Sequence, residues 1–284
     1  MVLFFCYNGI MKRFICFLIT ISFLLVSCAK LPEPAPTEEN VPPSPVVIGV
    51  IDTGFSTRAI PSENILEGKN YLAPDASTED TYGHGTAIAS VILDRMPQAQ
   101  LVPLVSNAFD GGKLLQVDND TFAAIIREAV EVYHCDILNI SAGLVLDKDS
   151  VREAIAYAEE NNVLIVASVG NDYVENGSLR YYPAAYETVL AVGSVNPEET
   201  SISSFSQRGP WVDLYTCGEK ITIHTLSGNT RESDGTSYSA ALVTAQAAQL
   251  LAQSDTAMTP IQLREQILQR TESLEDGSRY LPQQ

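Results

Sequence analysis

Three residues of this 284-residue chain could together cleave an acyl bond: Asp52, His84 and Ser237. Amide hydrolysis near neutral pH needs a nucleophile and a base that takes its proton. It also needs an acid that orients the base and balances its charge. Each of the three residues sits at a glycine-marked loop. Asp52-Thr53-Gly54 ends an apolar run. Gly83-His84-Gly85-Thr86 opens a helical stretch, and its glycines leave the imidazole open to an approaching ligand. Gly235-Thr236-Ser237 precedes an Ala-rich helix. The hydroxyl therefore lies at a helix N-terminus, where free N–H groups stabilise developing negative charge. Taken singly, the aspartate reads as a turn residue and the serine as an N-cap. Only their co-occurrence points to chemistry. His134 and His224 fall in a helix end and a strand and read as structural.

The elements that must position these groups alternate in type. Val46 to Ile51 is an apolar, β-branched run, the mark of a buried parallel strand. Further strands are predicted at 100–105, 136–140, 163–167 and 188–195. Residues 211–226 suggest two short strands around a turn at Cys217-Gly218. Helices are predicted over 84–96, 120–133, 148–161 and 237–252, with a last one starting near Pro260 under a Thr259 cap. Such alternation implies βαβ units: an α/β fold of three layers, with a mostly parallel central sheet and helices on both faces. Ligands of such sheets gather at the carboxyl ends of the strands.

The chain resembles the subtilisin family of serine proteases (subtilases, peptidase S8) from about Val46 to about Leu251. Val50-Ile51-Asp52-Thr53-Gly54 resembles the family's Asp motif, Gly83-His84-Gly85-Thr86 its His motif and Gly235-Thr236-Ser237 its Ser motif. The chain order Asp, His, Ser is also that of subtilisin. Leu138 to Gly143 resembles the substrate-binding strand, and Val166 to Asn171 the segment carrying the oxyanion-hole asparagine. Tyr182-Pro183-Ala184 followed by Val189 to Gly193 resembles another family segment.

The resemblance implies a subtilisin-like fold and roles for named residues. Ser237 would attack the carbonyl, His84 would act as base and then acid, and Asp52 would hold the imidazole. The Asn171 side chain and the Ser237 N–H would bind the oxyanion. Ser141, Ala142, Gly143, Ser168, Val169 and Gly170 would flank the pocket for the residue before the cleaved bond. Asp172 reads as a solvated acid, with a place at the base of that pocket as the alternative. Tyr238, beside the nucleophile, is bulky enough to narrow the site. Ala87, Cys217, Ala241 and Leu242 depart from the family pattern without touching these roles. No cofactor is expected, and the family's calcium sites are not recognisable.

The first 27 residues read as an export signal. Met11-Lys12-Arg13 is a basic start, Phe14 to Val26 an apolar core, and Leu25-Val26-Ser27-Cys28 resembles a bacterial lipobox. Met11 fits as the true start. Cys28 would then be lipidated, and multiple acyl chains hold a protein to a bilayer stably. Residues 28–45 form a Pro-rich spacer, and 46–284 the peptidase domain. The expected location is the bacterial cell envelope, lipid-anchored to a membrane. The net charge of −18 excludes nucleic acid as a partner. Protein or peptide substrates are the expected partners. With only a spacer ahead of the domain, either the chain folds unaided or a separate folding helper or inhibitor serves it. Cys135 and Cys217 read as buried free thiols, with one disulfide as the alternative. Two rival functions stay open: a weakly active or inactive lipid-anchored binding protein of the same fold, and a hydrolase of esters.

Overall fold

The computed structural model describes residues 45–283. The expected export signal, Cys28 and the expected spacer up to residue 44 lie outside the described residues. In chain order the strands are β1 (Val47–Asp52), β2 (Lys69–Asn70), β3 (Gln100–Val105), β4 (Asn107–Asp110), β5 (Lys113–Gln116), β6 (Ile137–Ile140) and β7 (Leu164–Ser168). They continue as β8 (Leu190–Val195), β9 (Leu214–Cys217), β10 (Ile221–His224), β11 (Thr230–Ser233), β12 (Glu272–Ser273) and β13 (Arg279–Tyr280). The helices are α1 (His84–Arg95), α2 (Asn119–Glu131), α3 (Asp149–Glu160), α4 (Tyr173–Asn176), α5 (Thr236–Gln253) and α6 (Pro260–Leu268).

Nine strands form one sheet in the order β12-β13-β9-β8-β7-β6-β1-β3-β2, parallel throughout except for the β12–β13 pair. The order reverses at β1. Chain growth runs to one side through β3 and to the other through β6 to β9. A crevice opens at such a switch point, outside the strands' carboxyl ends. Asp52 is the last residue of β1 and therefore faces it.

The strands alternate their side chains between two cores. Ile48, Val50, Ile137, Leu164 and Val166 pack with α1, α5 and α6. Ile51, Leu138, Ile140, Ile165 and Ala167 pack with α2 and α3. This is the three-layer arrangement that the period-2 pattern requires. Helix α5 is apolar on nearly every side and rich in alanine. It lies buried against the sheet and α1, because small side chains allow close approach. Helix α2 shows the opposite design. It buries Phe122, Ala123, Ile125, Ile126 and Ala129 on one face, and Asp118 caps its start by accepting the Thr121 N–H at 2.7 Å. Thr259 and Gln262 form the expected reciprocal cap of α6.

The two short strands expected around Cys217-Gly218 are β9 and β10; β9 joins the main sheet, and β10 pairs with β11 as a separate hairpin. The hairpin β4–β5 was not foreseen. His134 lies just past α2 in a left-handed turn conformation, and His224 lines a cleft beside His84. Cys135 and Cys217 are both buried and free.

Candidate active site

Asp52 is 1% exposed and held from two sides. Its Oδ1 accepts the Thr53 N–H at 2.8 Å. Its two oxygens lie 2.8 and 2.9 Å from His84 Nδ1. An Nδ1–H donated to a carboxylate leaves the Nε2 lone pair free to act as a base. Burial opposes a charge on His84. The negative charge of Asp52, its hydrogen bond and the nearby Asp80 charge outweigh that, so the imidazole pKa rises above its ordinary 6.5.

The first two motifs clamp each other. Gly85 N–H donates to Thr53 Oγ1 at 2.9 Å. A Cβ at Gly85 would meet the Gly54 carbonyl oxygen at 2.3 Å, so any larger residue would force the two loops apart. Asp80 locks the assembly. Its carboxylate is buried and accepts from Tyr82 N, Gly83 N, Thr86 N and Thr86 Oγ1 at 2.7 to 3.0 Å. It thereby caps α1, whose Gly83 N-cap has no side chain to do so. Sequence reading missed Asp80. An acid four residues before the first helical residue was the available signal.

Ser237 enters at the N-terminus of α5 and is 6% exposed. Among the described residues, its hydroxyl makes no hydrogen bond, neither with His84 nor with another group. Base–nucleophile contacts in substrate-free enzymes often tighten only in the reacting complex. The next residue, Tyr238, has its ring centroid 6.3 Å from that of His84, which brings the third motif beside the second. Tyr238 is buried, and its hydroxyl donates to Ser233 Oγ at 3.0 Å.

Asn171 lies beyond β7 and is oriented by α5. Its Oδ1 accepts from Thr236 N and Thr236 Oγ1, both at 2.8 Å. Two donors on one atom identify that atom as the oxygen, so Nδ2 is the atom left to donate. The Ser237 N–H, in the first turn of α5, likewise has no intrahelical acceptor.

The expected pocket residues fall on two neighbouring segments. Ser141, Ala142 and Gly143 follow β6 and are half-buried or exposed. Ser168 ends β7, Val169 and Gly170 follow it, and their backbone groups are already engaged. Val169 donates to Val192 O, Gly170 donates to Thr236 Oγ1, and Gly170 O accepts from Gln207 N. The Tyr181 ring packs between the two segments. A Cβ at Gly143 would lie 3.1 Å from its Cδ1, and one at Gly170 would lie 2.8 Å from its Cδ2. Asp172 is not a freely solvated acid. It accepts from Tyr181 OH, Asn176 Nδ2 and Gln207 Nε2 at 2.5, 2.6 and 2.8 Å. Burial raises its pKa, but these three donors outweigh it and hold the carboxyl below its usual range.

A model of the Subtilase family matches residues 44–281. The chain belongs to the subtilase family. It is thus a serine-type endopeptidase by class, with the three-layer α/β fold of its relatives. It is 33% identical to the minor extracellular protease Epr of Bacillus subtilis over 78% of its own length and 34% of that protein. It is 29% identical to subtilisin BL of Lederbergia lenta, over 89% of its own length and 93% of the other. The major intracellular serine protease of Bacillus subtilis is 33% identical over 62% of this chain and 59% of its own. Among solved structures, a cold-adapted subtilisin-like serine proteinase superposes with a TM-score of 0.71 at 24% identity, covering 84% of this chain and 88% of that one. The protease domain of PatA, in a serine-to-alanine mutant form, gives 0.72 at 24% identity, covering 83% of this subtilase and 91% of that chain.

Proposed function

We propose that this subtilase hydrolyses peptide bonds of protein substrates through Ser237, His84 and Asp52, with Asn171 and the Ser237 N–H as oxyanion donors. The observation that carries the reading is the Asp52–His84 pair at the switch point, with imidazole Nε2 free of a hydrogen bond among the described residues and Tyr238, the residue after Ser237, beside the ring. In this reading Ser237 Oγ bonds to the substrate carbonyl carbon as its proton passes to His84 Nε2. The imidazolium then returns that proton to the leaving amine as the C–N bond breaks. Water repeats the cycle and frees the acid product. A fluorophosphonate probe tests the nucleophile directly: the adduct, mapped by mass spectrometry, is expected on Ser237. A folded protein that leaves the probe untouched would refute the assignment and favour the binding-protein alternative. Parallel peptide and ester panels separate peptidase from esterase.

Export and a lipid tether at Cys28 complete the proposal, resting on the leader and its lipobox-like end. Epr, named as extracellular, lends support, while an intracellular relative of similar identity shows that the fold itself does not decide location. Cells fed an alkynyl fatty acid should label the wild-type protein and not Cys28→Ala. Equal labelling of both would remove the tether from the proposal.

Tyr181 sets the expected preference before the cleaved bond. Its ring occupies the space between Gly143 and Gly170, and its hydroxyl is anchored on Asp172. The pocket is therefore shallow, and glycine, alanine or serine should be accepted there. Tyr181→Ala should raise kcat/KM for leucine or phenylalanine at that position by ~10-fold or more, within the range that extra methylene groups command in an apolar pocket. An unchanged preference profile in that variant would show that the ring does not limit the pocket.

A further inference from the structure

The hairpin β10–β11 walls a cleft of about 580 Å³ beside His84. Among the described residues, Tyr82, His84, His224, Arg231, Ser233 and Tyr238 line it, and no aspartate or glutamate does. None of Asn171, residues 141–143 or residues 168–170 lines it either. In the proposed mechanism those segments hold the acyl part of the substrate. His84 hands its proton to the leaving amine, so the chain attached to that amine departs past the imidazole. The cleft is thus placed to take the residues that follow the scissile bond.

Arg231 carries the cleft's fixed positive charge. Its Nη1 lies 3.3 Å from Ser233 Oγ and 3.4 Å from the Glu232 carbonyl oxygen. Ser233 Oγ in turn accepts from the hydroxyl of Tyr238, the residue next to Ser237. Neutral oxygens therefore hold the guanidinium beside Ser233, which in turn meets Tyr238 at the wall of the cleft. Among the described residues the guanidinium makes no ion pair. Glu232 alternates to the other face of the strand. Asp234 Oδ1 is engaged by the Lys220 N–H at 2.7 Å. On a chain with net charge −18, an uncompensated arginine at this cleft is a docking point for an anion, and its planar fork matches a carboxylate.

We propose that Arg231 binds a carboxylate on the leaving side of the scissile bond, favouring substrates with Asp or Glu at one of the first two positions after it. The inference rests on the endopeptidase reading above. A free C-terminal carboxylate at the end of a short leaving peptide offers the same chemistry.

Quenched fluorescent peptides with amidated ends, carrying Glu, Gln or Lys at the first or second position after the bond, test the idea. A Gln peptide ending there in a free carboxylate forms a further arm. Wild-type enzyme should favour Glu over Lys by ~5-fold or more in kcat/KM, and less so at high salt. Arg231→Gln should flatten that ratio, and Arg231→Glu should invert it. Faster cleavage of the free-carboxylate Gln peptide than of the Glu peptides, with the same response to Arg231, would assign the site to a chain terminus. A Glu preference that survives in Arg231→Gln, or none in the wild type, overturns the inference while leaving the peptidase standing. No cleavage of any peptide by folded wild-type protein overturns both.

Discussion

Ser237→Ala and His84→Ala are each expected to lower kcat by ~10⁶-fold, and the double variant by no more than either alone. That magnitude has been measured in this same family. The non-additivity follows from the mechanism. Without the base, the hydroxyl keeps its proton and is a poor nucleophile; without the hydroxyl, the base has nothing to activate. Residual turnover would come from Asn171, the Ser237 N–H and substrate positioning, which neither substitution touches. Single-turnover kinetics on one quenched peptide is the measurement, with circular dichroism confirming the fold. A loss below tenfold in either variant, or losses that multiply, would mean that the two side chains do not act as one unit.

Asp52→Asn should cost ~10⁴-fold in kcat, the size seen when a triad aspartate is neutralised in an unrelated serine protease. The pH profile makes the test sharper. Burial alone would lower the His84 pKa; Asp52, through charge and hydrogen bond, with Asp80 behind it, turns the net shift upward. The base works only when neutral. The acid limb of kcat/KM should therefore lie above 6.5 in the wild type, and activity should rise as pH climbs through it. Removing the Asp52 charge removes the main upward influence, so the limb should move down in Asp52→Asn even as the plateau falls. The same pair has a stability consequence of opposite direction. A pKa raised in the folded state adds stability that is full below the unfolded value and is lost as pH rises through the folded one. An acid limb that stays in place in Asp52→Asn would show that this carboxylate does not control the imidazole.

Much of this was legible in the chain because the informative segments are local. The β-branched run of β1 with Asp52 at its end, and the glycine pair around His84, declare both residue type and backbone conformation within a few positions. The alanine-rich α5 behind Ser237 does the same, and the Thr259 cap needed only four residues to be read. Asp80 was missed because one acid in an acidic chain has no pattern of its own. Its meaning comes from four donors that converge on it once the loop has folded. The pairing of β10 with β11 was missed for a related reason, since two short segments do not state which neighbour each will bond.

What the sequence determined by itself is the set of candidate reactive groups, the elements that carry them and their order, because backbone preference and side-chain period are written over a few residues. What only the tertiary structure decided is where those groups point and what fills the space between them. Asn171 turns its oxygen to Thr236 and leaves its nitrogen to donate, Tyr181 fills the gap between Gly143 and Gly170, and Arg231 comes to rest beside the His84 cleft. These depend on close approach of segments far apart in the chain. Packing and hydrogen-bond geometry between such segments exist only after the layers have closed.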